Sequence, residues 1–183
     1  TVVLPETEKW GIDSTPGLVE AEGRFGWKPD PLLRLSAIIP PDGERIEAMA
    51  TRLRLSLAEK ATLVEFATCP PIGEAISDAQ FDQLLYRHGN GGATSRLKLA
   101  LAKAASLAAH DPDELARIGR LGALLEHARS WTRPVMPVRG ADLIAVGVPA
   151  GPEVGLKLSR LEDAWLSSNF RLTKDELLAA LSP

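Results

Sequence analysis

The chain has 183 residues, 45% of them apolar and 25% charged, with a formal net charge of -3 and one cysteine, Cys69. That length holds one ample core or two small ones at the usual ~100 to 200 residues per domain. The single cysteine excludes an internal disulfide and a thiolate metal cluster, and no run approaches the ~18 apolar residues of a membrane span. A reducing cytoplasm is the simplest compartment for such a chain, and Thr1 in place of an initiating methionine points to processing or truncation.

Residues 1–29 place Trp10, Phe25 and Trp27 among Gly11, Pro16, Gly17, Gly23 and Gly26, which reads as an irregular arm with one short helical piece at Leu18–Glu22. From Asp30 the signals turn helical. Leu32, Leu33, Leu35, Ile38 and Ile39 form a short apolar helix that Pro40-Pro41 ends. Asp42 caps a helix from about Gly43 to Leu55, with Ile46, Met49, Ala50 and Leu53 on one face. Ser56-Leu57-Ala58-Glu59 is a capping box for a helix to about Thr68, and Ser77-Asp78-Ala79-Gln80 is another for a helix to about His88.

His88-Gly89-Asn90-Gly91-Gly92 reads as a turn before an alanine- and leucine-rich helix, Ala93–His110. Its apolar side is Leu97, Leu101, Ala104 and Ala108, while Arg96, Lys103 and His110 recur every seven residues on another. Asp111-Pro112-Asp113-Glu114 starts a further helix with core residues Ile118, Leu121, Leu124 and Leu125, ending near Trp131. Pro134 and Pro137 make 132–138 the best linker, which divides a body, 1–132, from a tail, 133–183. No stretch alternates cleanly, so the expected fold is all-α, an irregular multi-helix bundle with a small helical tail clamp.

The tail carries the densest pattern. Gly140, Asp142, Gly147, Gly151, Pro152 and Gly155 mark the corners of two helices. In the second helix Val154, Leu158, Leu161 and Trp165 fall at i, i+4, i+7 and i+11 on one face, and Glu153 precedes Lys157 by one turn as an ion pair. Thr173-Lys174-Asp175-Glu176 caps a last helix bearing Leu177, Leu178 and Leu181.

Sites of chemistry are harder to find. Asp111-Pro112-Asp113 has the spacing of a metal-binding carboxylate pair but a complete explanation as a helix start. His88, His110 and His127 are too dispersed for a ligand motif, and Cys69 has no adjacent base to activate it. The remaining signal is charge, because residues 85–139 hold nine Lys and Arg against four acids in an otherwise acidic chain. Arg87, His88, Arg96, Lys103 and His110 are candidate phosphate contacts, with Arg129, Arg133 and Arg139 flanking the linker. Charge alone fits a solvated basic face equally well.

The tail pattern of Gly-x-Asp-Leu, then Gly, Gly-Pro, Gly and a late Leu-Glu-x-x-Trp, resembles the tail of bacterial tRNA nucleotidyltransferases, the CCA-adding enzymes, and of related bacterial poly(A) polymerases. Val3-Leu4-Pro5-Glu6, Asp30-Pro31-Leu32-Leu33-Arg34-Leu35 and Arg52-Leu53-Arg54-Leu55-Ser56 look like the same family in the same order. The resemblance implies a body and tail that hold tRNA or another RNA, with no DNA or membrane partner. Magnesium with CTP or ATP would belong to a catalytic head and neck. The family's Gly-Ser pair with Asp-x-Asp, its Arg-Arg-Asp core and its Glu-Asp-x-x-Arg core are not found here, so this chain would begin just after them and be inactive alone. The competing reading is a helical protein-interaction or oligomerisation module that ignores RNA.

Overall fold

A computed structural model describes residues 14–108 and 110–181 of the chain. Val3-Leu4-Pro5-Glu6 and Trp10 therefore lie outside the described residues. Among those described, ten helices and no strand are present: α1 (Ser14–Arg24), α2 (Pro31–Ile38), α3 (Gly43–Arg52), α4 (Leu57–Thr68), α5 (Asp78–His88), α6 (Asn90–Leu107), α7 (Asp113–Ser130), α8 (Gly140–Ala145), α9 (Pro152–Ser167) and α10 (Lys174–Ala179). The all-α, multi-helix expectation holds. The chain divides into two compact units, Thr1–Trp131 and Thr132–Pro183.

In the first unit the helix starts are set locally. The Asp30 carboxylate accepts the Leu32 and Leu33 amides at 2.9 and 3.2 Å, and Pro31 fills the first turn of α2. Both serine capping boxes form, Ser56 with Glu59 and Ser77 with Gln80. Helix α6 is the centre of the unit and packs against α7, α1, α4 and α5. Leu97 and Leu101 on it meet Phe81 and Leu85 of α5 and Leu121, Leu124 and Leu125 of α7 in the largest buried cluster.

Two expectations need correction here. The stretch before Asp30 is less irregular than its glycines suggest, because α1 runs for 11 residues. Tertiary burial extends it: Leu18 and Ala21, one turn apart, pack against Leu33, Ala37 and Ala102. The glycine-rich segment after His88 is not a free turn either, since α6 already begins at Asn90. A Cβ on Gly92 would stand 2.5 Å from the Glu65 carbonyl oxygen and 3.1 Å from Cys69 Cβ, so only glycine lets α6 cross α4 this closely.

The second unit is built on corners. Gly147 takes φ 95°, and the Gly147 and Val148 amides return to the Ile144 and Leu143 carbonyls at 3.0 Å each, closing α8. Gly140 begins α8 where a Cβ would come within 3.3 Å of Val154 of α9. Gly151, at φ 146°, precedes Pro152 in the first turn of α9, whereas Gly155, expected at a corner, lies inside α9, where a Cβ would meet nothing within 4 Å. Leu143, Leu161, Trp165, Leu166 and Leu177 are buried, and the Trp165 ring meets Phe170 edge to face at 5.0 Å. The Glu153–Lys157 pair forms at 3.2 Å. Asp142 accepts the Arg139 amide at 2.8 Å and the Lys174 ammonium at 2.7 Å, and these bonds, Lys174 first, hold its carboxyl below the usual range.

Candidate nucleic-acid interface

The basic residues singled out by charge have different fates. Arg96 is turned inward: its Nε donates to the Cys69 carbonyl at 2.8 Å, and its guanidinium lies 4.3 Å from the Phe66 ring centroid. It thus satisfies carbonyls left open at the C-terminal end of α4, and burial lowers its pKa from the usual arginine value. The stripe Arg96, Lys103, His110 is consequently not one face. Lys103 is exposed on α6, but the helix ends at Leu107 and His110 lies beyond it. Arg87 is exposed and His88 half-buried in the last turn of α5. Arg129 is exposed at the end of α7 and bonded to Glu126, while Arg133 and Arg139 belong to the second unit and are exposed there.

Two further arginines of the basic stretch are tied to protein. Arg120 donates to the Ile76 carbonyl at 2.7 Å and the Asp78 carboxylate at 3.0 Å. Arg117 pairs with Glu74 at 3.3 Å. Together they hold the loop that leads into α5. Planar guanidinium groups suit such multi-point bonding to carbonyls and carboxylates.

Other sequence motifs resolve into structure. The Asp111 carboxylate accepts the Asp113 amide at 3.0 Å, a bond typical of a helix start. No group of three His, Cys, Asp or Glu side chains among the described residues could hold a metal ion. His127 shares a 2.6 Å hydrogen bond with Asp82. Burial pushes the Cys69 thiol up to about 11, far from a reactive thiolate. At the glycine-rich start of α6 the Glu65 carboxylate comes so close that a Cβ on Gly91 would stand 2.6 Å from it. A negative group already occupies the helix end that a phosphate would need.

What sequence reading passed over is a cleft of about 500 Å³ lined by Phe25, Trp27, Lys28, Asp30, Lys98 and Arg129, among others. Phe25 and Trp27 stack at 4.9 Å with planes 25° apart, and the Lys98 ammonium lies 5.6 Å from the Trp27 ring centroid. Gly26 at φ 64° makes this possible, since the Trp27 amide returns to the Glu22 carbonyl at 2.9 Å and swings the indole back beside Phe25. Arg34 of α2 grips the buried Glu22 of α1 through two hydrogen bonds, which tie together the two helices that flank residues 25–30. That arginine is the main cause of the lowered Glu22 pKa. The signal in sequence was faint, because Trp27 and Lys28 sit in a stretch whose overall charge is acidic.

No family model matches the chain. A stretch of 59 residues is 44% identical to CCA tRNA nucleotidyltransferase 1, mitochondrial, of Danio rerio, covering 32% of this chain and 14% of that protein. The protein of the same name from Mus musculus is 37% identical over 75 residues, and that from Homo sapiens 35% identical over 75, each match covering 38% of this chain and 17% of the relative. Part of this chain is similar to CCA tRNA nucleotidyltransferases. The similarity supports a CCA-adding enzyme region and spans less than a fifth of the relatives' length. All three relatives are named as mitochondrial, in contrast to the cytoplasm expected from the lone cysteine. No described helix is long and apolar enough to cross a membrane.

Proposed function

We propose that this chain is the RNA-holding body and tail of a CCA-adding tRNA nucleotidyltransferase, which positions the tRNA 3′ end while a head and neck elsewhere in the enzyme transfer the nucleotides. The 44% identity over 59 residues to a CCA tRNA nucleotidyltransferase carries the reading. An all-helical body with open lysines beside stacked aromatics is consistent with it. Such groups track phosphates and helix shape without reading sequence, which an enzyme accepting every tRNA requires. On this reading magnesium and CTP or ATP bind to the head and neck, outside this chain. A related poly(A) polymerase would use the same scaffold with ATP alone, and a larger enzyme containing this region would separate the two by its products from CTP and ATP.

The test is binding of the 183-residue chain to an unmodified tRNA and to a hairpin of the same acceptor sequence across a salt series. The expected result is tighter binding of tRNA, with log K falling linearly against log salt. Failure of both RNAs to bind at low salt would remove the reading. A helical interaction or oligomerisation module is the second reading, favoured by the exposure of Val135, Ile144, Val146 and Leu156 in the second unit. It predicts self-association that grows with concentration in small-angle scattering.

A further inference from the structure

We propose that the cleft beside Trp27 receives one nucleotide of the RNA, with the phosphate at Lys98 and Lys28 and the base against the aromatic wall; this rests on the RNA-holding reading above. The cleft's volume of about 500 Å³ is within the range of small-ligand sites. A second hollow of about 360 Å³ adjoins it through the shared residues Asp30 and Lys98, and adds Thr62, Asn90, Thr94 and Ser95. Lys98 thus stands between a stacked Phe25–Trp27 pair on one side and neutral hydroxyl and amide groups on the other. That sequence of chemistries matches a nucleotide: an aromatic surface for a base, a cation for a phosphodiester, and hydrogen-bonding groups for a ribose.

The electrostatics separate the two cleft lysines from the arginines around them, Arg129 at the cleft itself included. Among the described residues neither Lys28 nor Lys98 makes an ion pair, whereas Arg117, Arg120 and Arg129 all do. Asp30, the carboxylate in the cleft, already accepts two amides at the start of α2. An acidic peptide would satisfy the lysines but leave the aromatic wall and the hydroxyl side unused. Nucleotide chemistry has two sources, a free mononucleotide and a residue of an RNA strand, and a cleft open to solvent at both hollows fits the strand.

The experiment measures affinity of the whole 183-residue chain for labelled tRNA together with its tryptophan fluorescence, in wild type, Lys98→Ala, Lys28→Ala, Trp27→Phe and a surface control, Arg45→Ala. Each lysine variant should weaken tRNA binding about 5- to 10-fold at low salt and reduce the salt slope by about 1, and the control should change neither. Wild type should show tryptophan quenching on binding tRNA; Trp27→Phe keeps an aromatic wall, so it should retain most of the affinity while losing most of that quenching. Wild type that binds tRNA with both lysine variants unaffected overturns the cleft alone, whereas wild type that binds no tRNA removes the RNA-holding reading. Competition by ATP or CTP as strong as by an RNA oligonucleotide overturns the strand assignment. Equal competition by polyglutamate overturns the nucleotide assignment.

Discussion

The seam where α6 crosses α4 and the cleft where α6 faces the 25–31 turn lie on one helix, yet the first is closed and the second is open. At the seam Gly92 removes a side chain so that backbones meet, and Arg96 fills the helix end opposite. Two residues further on, Lys98 points to a cleft without an ion pair among the described residues. Cationic residues on one helix therefore sit in opposite settings, the arginine bound to protein carbonyls and the lysine beside the Trp27 ring where, on the proposal above, it meets a polyanion. Guanidinium geometry favours the first use, and the compact, well-hydrated ammonium the second.

Changes at the seam should cost stability and those in the cleft should not. The largest effect is expected for Gly92→Ala, whose new methyl would meet the α4 backbone at 2.5 Å. A loss of about 3 kcal/mol is expected, the upper end for overpacking, read as a lowered denaturant midpoint. Arg96→Ala should follow with a loss of about 1 to 3 kcal/mol, because the carbonyl of Cys69 loses its donor in a half-buried place. The same measurement on Arg96→Lys should recover only part of it.

The cleft wall provides a pH test. Glu22 has its pKa lowered by Arg34, so its contribution is present above the unfolded carboxylate value of 4.5 and is lost as pH falls through the lower folded value. Stability of wild type should fall below about pH 4.5, and Glu22→Gln should flatten that part of the profile. An unchanged profile in the variant would show that other carboxylates carry the acid sensitivity. Smallest of all, Lys98→Ala should shift stability by less than about 0.5 kcal/mol while it weakens RNA binding. A larger loss would make Lys98 a structural residue like Arg96.

Much of the helical order was legible because it is local. Ser56, Ser77 and Thr173 each accept an amide three residues on and receive a Glu or Gln in return, a reciprocal bond within one turn. The basic stretch was also legible as composition, but its use was not. Arg96 reaches a carbonyl 27 residues away and Arg120 one 44 residues away, distances at which no periodicity reports direction. The cleft was missed because its aromatic wall and its lysine come from separate segments, one with an acidic excess and one with a basic excess.

By itself the sequence determined the all-helical fold, the capping boxes, the glycine and proline corners of the second unit, and the Glu153–Lys157 pair, since each follows from bonds spanning one turn or from a residue's own backbone limits. Only the tertiary structure decided that α6 starts at Asn90, that Arg96 turns inward and that Trp27 and Lys98 face one cleft. Those outcomes depend on which helix lies against α6 at each level, and helix crossing is set by side-chain volume summed over distant segments.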